Sequence, residues 1–196
     1  MPPVGVAIID SGVNPRHPHV HGVVAGRCFV PGEPPGHFLD YLGHGTAVAG
    51  AICEKTPELR LFIAKIFHQQ LVTSIEVLLA AFDWSLEQPV AFVNLSLGTV
   101  NEAHRDAFLE RVTLAQSRGI QVISAAGQLP GTLPGVIGVS WDDTIPRDTY
   151  SPTYAACGWP RPIPGRTPNE NLHGISFAVA NVTGCLAREM VRISDS

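Results

Sequence analysis

At 196 residues the chain is long enough for one domain with a sizeable buried core. Hydrophobic residues make up 45% of it and charged residues 15%, well below the roughly one quarter of an average protein; with 19 glycines and 17 prolines this describes a compact, loop-rich globular protein and excludes a disordered one. A net charge of −4 offers no basic face to nucleic acid or anionic lipid, and no apolar run approaches a membrane span.

Met1-Pro2-Pro3-Val4-Gly5 runs directly into a strand, so no signal peptide is expected. Cys28, Cys53, Cys157 and Cys185 lie far apart, with neither a CxxC pair nor zinc spacing. Both features predict a reduced, cytoplasmic protein; a Cys53–Cys185 contact stays open if their two helices pack together.

Val4 to Ile9 is a short apolar, β-branched run of the kind that forms a buried parallel strand. It ends in Asp10-Ser11-Gly12, an acid at the strand's C-terminal edge, where open α/β sheets build their sites. The alternative is an ordinary loop cap, but so apolar a strand favours a partly buried, hydrogen-bonded carboxylate. Asn14 to His21 is a loop by its prolines. Its alternating His17, His19 and His21 converge on a metal only if the segment is extended, and no further ligand is visible, so no metal is predicted. Gly32 to Gly36 is loop as well.

Asp40 to Cys53 contains His44 between two glycines, opening a helix of small apolar residues that implies close packing at the centre. A histidine at a helix start is usually structural; one left open by neighbouring glycines is a better candidate base. Leu59 to Phe67 reads as a strand, and Thr73-Ser74-Ile75-Glu76 as a capping box leading into a helix through Leu86. Val90 to Gly98 is a further buried strand ending in polar and glycine residues. Asn101 to Arg118 is an amphipathic helix closed by Gly119, and Gln121 to Gln128 and Gly135 to Ser140 are strands. Trp141 to His173 is predicted to be an irregular surface excursion. Alternating strands and helices imply an α/β fold, a three-layer sandwich with a mostly parallel sheet, in a single domain spanning residues 1–196.

Gly174-Ile175-Ser176-Phe177-Ala178 opens the last apolar helix. Gly174 permits a tight turn, and a hydroxyl in the first helical turn faces unpaired N–H groups and the positive end of the dipole. An oxyanion would be stabilised there, which suits a nucleophile, although such a serine is more commonly a helix cap.

The three motifs Asp10-Ser11-Gly12, His44-Gly45-Thr46 and Gly174-Ile175-Ser176-Phe177-Ala178 stand in the order Asp, His, Ser. In that order, and in Val93 to Gly98 and Ala125-Ala126-Gly127, the chain resembles the subtilisin-like serine proteases over nearly its whole length. The resemblance implies a subtilisin-like sandwich and a catalytic triad of Asp10, His44 and Ser176 acting through an acyl-enzyme. It implies that Ser96, Leu97 and Gly98 pair with an extended substrate backbone, and that Ala125, Ala126 and Gly127 line the pocket for an uncharged residue before the scissile bond. The partner is then a peptide or protein substrate, with no cofactor, no nucleic acid and no membrane. Departures from the family pattern are Gln128 where an asparagine donates to the oxyanion, Ile175 for threonine, Ala180 for proline and Ala47 for histidine. They leave open a weak or inactive peptide-binding protein of the same family. The short Leu129 to Pro134 segment predicts a shallow pocket, and the brevity between Cys53 and Leu59 predicts no calcium loop. No propeptide is expected before Asp10, and a specialised maturation protease is the expected type. A larger parent chain or a partner protein stays open.

Overall fold

The computed structural model describes residues 3–194; Met1-Pro2 and Asp195-Ser196, the outer ends of the terminal segments read above, lie outside the described residues. Seven strands form one sheet in the order β2-β3-β1-β4-β5-β6-β7, with every strand pair parallel. They are β1 (Val4–Asp10), β2 (Val23–Cys28), β3 (Leu59–Lys65), β4 (Phe92–Leu95), β5 (Gln121–Ala125), β6 (Val136–Trp141) and β7 (Ala155–Ala156). The helices are α1 (His44–Cys53), α2 (Ile75–Leu86), α3 (Arg105–Ser117) and α4 (Ile175–Ser194).

Strand β1 lies near the middle of the sheet and is buried on both faces, which is why it reads as an unbroken apolar run. Its alternate side chains enter opposite layers: Val4, Val6 and Ile8 pack with α1 and α4, while Ala7 and Ile9 pack with α2 and α3. The small residues of α1 let it sit close to α4: a Cβ on Gly184 would lie 3.0 Å from the Ile52 carbonyl oxygen. The three-layer α/β reading therefore holds, with a sheet that is wholly rather than mostly parallel.

Several local expectations are corrected. The edge strand β2 is absent from the sequence reading because Gly26 and Arg27 break its apolar pattern and only Cys28 is fully buried. The strand read as Leu59 to Phe67 stops pairing at Lys65, and of Val90 to Gly98 only Phe92–Leu95 stays in the ladder. The cap of α2 is Ser74, whose hydroxyl accepts from the Val77 N–H at 3.4 Å; the cap stands one residue after Thr73, and with Val77 at its third helical position it is a single cap and not the box read from Thr73 to Glu76. Helical structure from Asn101 begins as a 3₁₀ turn, Glu102–His104, before α3. Gly119 then closes α3 at φ 70°, with Ile120 N–H donating to the Ala115 carbonyl and Gly119 N–H to that of Gln116. The excursion from Trp141 to His173 is not all surface. It contains β7, and Cys157, Gly158 and Pro160 are buried, their backbone gripped by Asn181 Nδ2, which donates to the carbonyls of Cys157 (2.9 Å) and Trp159 (3.0 Å). All four cysteines are free and buried, and burial pushes the Cys53 thiol up to about 11. Although α1 and α4 pack together, Cys53 and Cys185 are not joined.

One buried polar chain fixes α4 against the sheet. Asn94 Nδ2 donates to Thr183 Oγ1 at 2.9 Å, and Thr183 Oγ1 donates to the Val179 carbonyl at 2.8 Å, both side chains being fully buried. Thr183→Val keeps the shape but strands the Asn94 amide, so a loss of about 1–3 kcal/mol is expected, read as a lower denaturant midpoint at unchanged slope. An unchanged midpoint would mean that Asn94 finds another acceptor.

Candidate active site

The carboxylate of Asp10 is delivered by the C-terminal end of β1, and the residue is 1% exposed. Its Oδ1 accepts from the Ser11 N–H and from His44 Nδ1, each at 2.7 Å, while Oδ2 is buried with no hydrogen-bond partner. The chain leaves the strand through Gly12 at φ 98°, a conformation that favours glycine.

His44 is the first residue of α1, after Gly43 at φ 78°. The helix start is held to β1 by side chains rather than by a local cap. Ser11 Oγ accepts from the Gly45 N–H (2.9 Å) and donates to Asp40 Oδ1 (2.9 Å). Asp40 Oδ1 also accepts from the Leu42 and Gly43 N–H groups, and its Oδ2 from the Thr46 N–H (2.8 Å) and hydroxyl (2.6 Å). One carboxylate thus satisfies orphan donors of the first turn at the positive end of the helix. Gly45 makes the close approach feasible, since a Cβ there would lie 2.2 Å from the Gly12 carbonyl oxygen. Burial disfavours the charged form of His44, but the hydrogen bond and charge of Asp10, with Asp40 behind, outweigh it and raise the imidazole above its usual range.

Ser176 lies in the first turn of α4, one residue inside its start, so it is not a helix cap. Gly174, at φ 147°, turns the chain into this helix. The Ser176 hydroxyl donates to the Ser96 carbonyl at 3.0 Å, and among the described residues it forms no hydrogen bond with His44. The neighbouring Phe177 ring lies 5.4 Å from the His44 ring between centroids, so the two helix starts meet at this point. Ser96 Oγ is shared between Asn94 Oδ1 (2.9 Å) and the Ser176 carbonyl (3.1 Å), coupling the end of β4 to the serine.

Leu97 and Gly98 are half-buried beyond β4; Ala125, the last residue of β5, is buried, and Ala126 and Gly127 beyond it are exposed. Gln128 lies over Gly98, its Cγ 2.7 Å from where a Cβ would stand, and its amide makes no hydrogen bond among the described residues. Past Gly98 the two walls join, Thr99 and Leu129 exchanging backbone hydrogen bonds of 3.0 and 2.9 Å.

The three loop histidines do not converge. His17 and His19 meet edge to face at 4.9 Å, whereas His21 Nε2 lies 3.3 Å from the Thr56 carbonyl. Among the described residues no group of three His, Cys, Asp or Glu side chains is arranged to hold a metal. No described helix is long and apolar enough to cross a membrane. The sequence reading missed the role of Asp40 with Ser11 and Thr46. The available signal was an acid four residues before His44, followed by a glycine-flanked helix start.

The sequence model of the Subtilase family matches residues 3–192. This chain belongs to the subtilase family. It is 32% identical to an intracellular serine protease of Paenibacillus polymyxa, over 63% of this chain and 41% of that one. It is 31% identical to subtilisin J of Geobacillus stearothermophilus (63% and 34%), and 28% identical to the human membrane-bound transcription factor site-1 protease (74% and 15%). The chain therefore spans less than half the length of these relatives. The crystal structure of the nisin leader peptidase NisP from Lactococcus lactis has the same fold, with a TM-score of 0.80 at 18% identity over 99% of this chain and 79% of that one.

The raised pKa of His44 gives this subtilase opposed pH responses. A base must be neutral, so for His44 in that role kcat/KM is expected to fall on the acid side with a midpoint above the ordinary histidine value of 6.5. The stabilisation from the charged pair is complete below pH 6.5 and lost as pH rises through the raised folded value. A pH–rate profile beside unfolding curves of wild type and His44→Ala reads both limbs; an acid limb below 6.5 would exclude the Asp10-raised imidazole as the base.

Proposed function

We propose that this subtilase domain, residues 1–196, is a serine endopeptidase in which Asp10, His44 and Ser176 form the catalytic triad. The observation that carries the reading is the 2.7 Å bond from His44 Nδ1 to a buried carboxylate, beside a serine at the adjoining helix start. That bond leaves Nε2 unprotonated and free to act as base. On substrate binding the Ser176 hydroxyl turns from the Ser96 carbonyl to His44, gives up its proton and attacks the peptide carbonyl. His44 passes the proton to the leaving amine, and water then hydrolyses the acyl-enzyme by the reverse relay. The developing oxyanion meets the Ser176 N–H, which has no carbonyl one turn behind it, and the Gln128 amide.

Ser96, Leu97 and Gly98 supply the edge for an extended peptide, and Ala125, Ala126 and Gly127 favour an uncharged residue before the scissile bond. Four free, buried cysteines support a cytoplasmic setting, and the small domain supports a peptide-maturation role for it, alone or within a larger chain or complex. The second reading, a weak or inactive peptide-binding subtilase, draws on the Ser176 hydroxyl being held by Ser96 and on Gln128 replacing the family asparagine.

A fluorophosphonate probe separates the two. Labelling of the folded protein at pH 8 that disappears in Ser176→Ala is expected of the enzyme; a folded protein that stays unlabelled is the binding protein.

The Gln128 amide has its own measurement. Removing an oxyanion donor costs on the order of 3 kcal/mol, so Gln128→Ala is expected to lower kcat roughly a hundredfold with little change in KM. Gln128→Asn is expected to keep or raise kcat. An unchanged kcat in the alanine variant would assign the donor elsewhere.

A further inference from the structure

Beside His44 lies a cleft of about 460 Å³ whose walls include no residue of Ser96–Gly98 or Ala125–Gln128. It is formed by the loop after β1, by the turn and first residues of α1, and by the segment from Arg161 to Leu172. Gly43, next to His44, and Leu172, four residues before Ser176, stand at its edge. On the peptidase reading, a peptide whose acyl half lies along Ser96–Gly98 carries its other half past His44, which protonates the departing amine, toward Gly43 and this cleft.

Two arginines enter this cleft in a chain whose net charge is −4. Arg161 and Arg166 line it beside His17 and His19, and Asp40 and Glu170 are the two acids that face them. Both acids are already engaged: Asp40 holds the start of α1, and Glu170 Oε2 accepts from the Thr167 N–H (2.7 Å) and hydroxyl (2.9 Å). Neither Arg161 nor Arg166 forms an ion pair among the described residues. Their loop is braced through its backbone instead, the Arg161 carbonyl accepting from Asn171 Nδ2 at 3.2 Å and the Arg166 N–H donating to the Ile163 carbonyl at 3.1 Å. The site thus holds two guanidinium groups that form no ion pair among the described residues, although Arg166 acts on Glu170 through its charge, and burial, then Arg161, then His17 lower the His19 imidazole below its usual range. Guanidinium pairs with a carboxylate through two parallel hydrogen bonds, a geometry that lysine does not offer.

We propose that this cleft binds a carboxylate on the leaving-group side of the scissile bond through Arg161 and Arg166, so that the enzyme prefers substrates anionic just downstream of the cut. The carboxylate comes from an Asp or Glu side chain or from the C-terminus of a short peptide. The inference rests on the peptidase reading for the direction in which substrate lies.

Three peptides with one acyl half test it: a neutral, amidated downstream half; the same with one Glu in the first three downstream positions; and a neutral half ending there in a free carboxylate. Both anionic peptides are expected to show about tenfold higher kcat/KM than the neutral one, and whichever gains more identifies the source. The ratio is expected to approach one in 1 M salt, where the screening length is only about 3 Å, and in Arg161→Gln/Arg166→Gln. In Arg161→Glu/Arg166→Glu the preference is expected to pass to a downstream Lys, which mere damage to the loop would not produce. Equal rates for all three peptides, or a preference that survives loss of both arginines, would overturn the proposal. Binding of the same peptides to Ser176→Ala, measured by calorimetry, decides the case in which nothing is cut. Tighter anionic binding that needs both arginines keeps the cleft while the hydrolytic reading fails; equal binding removes the cleft.

Discussion

The structure depends on a 2.7 Å hydrogen bond between groups that begin in different elements, the carboxylate at the end of β1 and the imidazole at the start of α1. Burial works against it, because both charged forms lose water. What tips the balance is the lack of competing donors: among the described residues Asp10 Oδ1 serves only Ser11 N–H and His44, and Oδ2 serves no hydrogen bond. An under-satisfied carboxylate concentrates its field on its one titratable neighbour, so the imidazole is held in the tautomer that presents Nε2 outward. The surroundings then have one task, to keep a helix from drifting away from a strand. Asp40 does this with five hydrogen bonds, and Gly45 does it by having no side chain to intervene.

Ser176 is positioned by a separate set of contacts. It rides on α4, which Thr183 ties to Asn94 of β4, and its carbonyl and hydroxyl both meet Ser96 just beyond that strand. The packing of α1 on α4 brings the two sets together, and the contact between the His44 and Phe177 rings marks where they join. A hydroxyl turned to Ser96 is compatible with this, since hydrogen bonds of a catalytic relay often tighten only when substrate is bound. The Ser176 hydroxyl donates one hydrogen bond, to the Ser96 carbonyl, whereas His44 and Asp10 are fixed to each other at 2.7 Å.

The sheet was legible wherever strands were buried on both faces, because burial on two sides writes a continuous apolar run. It was illegible at β2, where an edge strand with Gly26 and Arg27 carries no such pattern. Ends of elements blurred for a related reason: Ile66 and Phe67 are buried beyond β3, so apolar character outlasts the strand. The positions of Asp10, His44 and Ser176 at element ends were readable because glycines punctuate each of them. Asp40 was not readable as a hub, since a short acid in a loop looks the same whether it accepts one hydrogen bond or five. The cleft that Arg161 and Arg166 enter was hidden for a different reason. Its residues come from segments about 140 positions apart in sequence, joined only once the chain folds back over α1.

Gln128 and Gly98 illustrate how a departure from a family pattern can be absorbed locally. Glutamine carries one methylene more than asparagine, and that extra length must go somewhere if the amide is to stay near the serine. It lies over Gly98, in space that a Cβ would occupy at 2.7 Å from Gln128 Cγ. The Thr99–Leu129 pair immediately beyond holds the two walls at that separation, so the side chain can neither sink deeper nor push the walls apart. Gly98 therefore has two duties, admitting the Leu129 carbonyl of the opposite wall and making room for the longer amide. A Cβ at 98 would meet the Leu129 carbonyl oxygen even before Gln128 Cγ, so any other residue there would press on the backbone of the opposite wall as well as on the amide. The length of the amide and the absence of a side chain opposite it are thus one coupled feature of the groove.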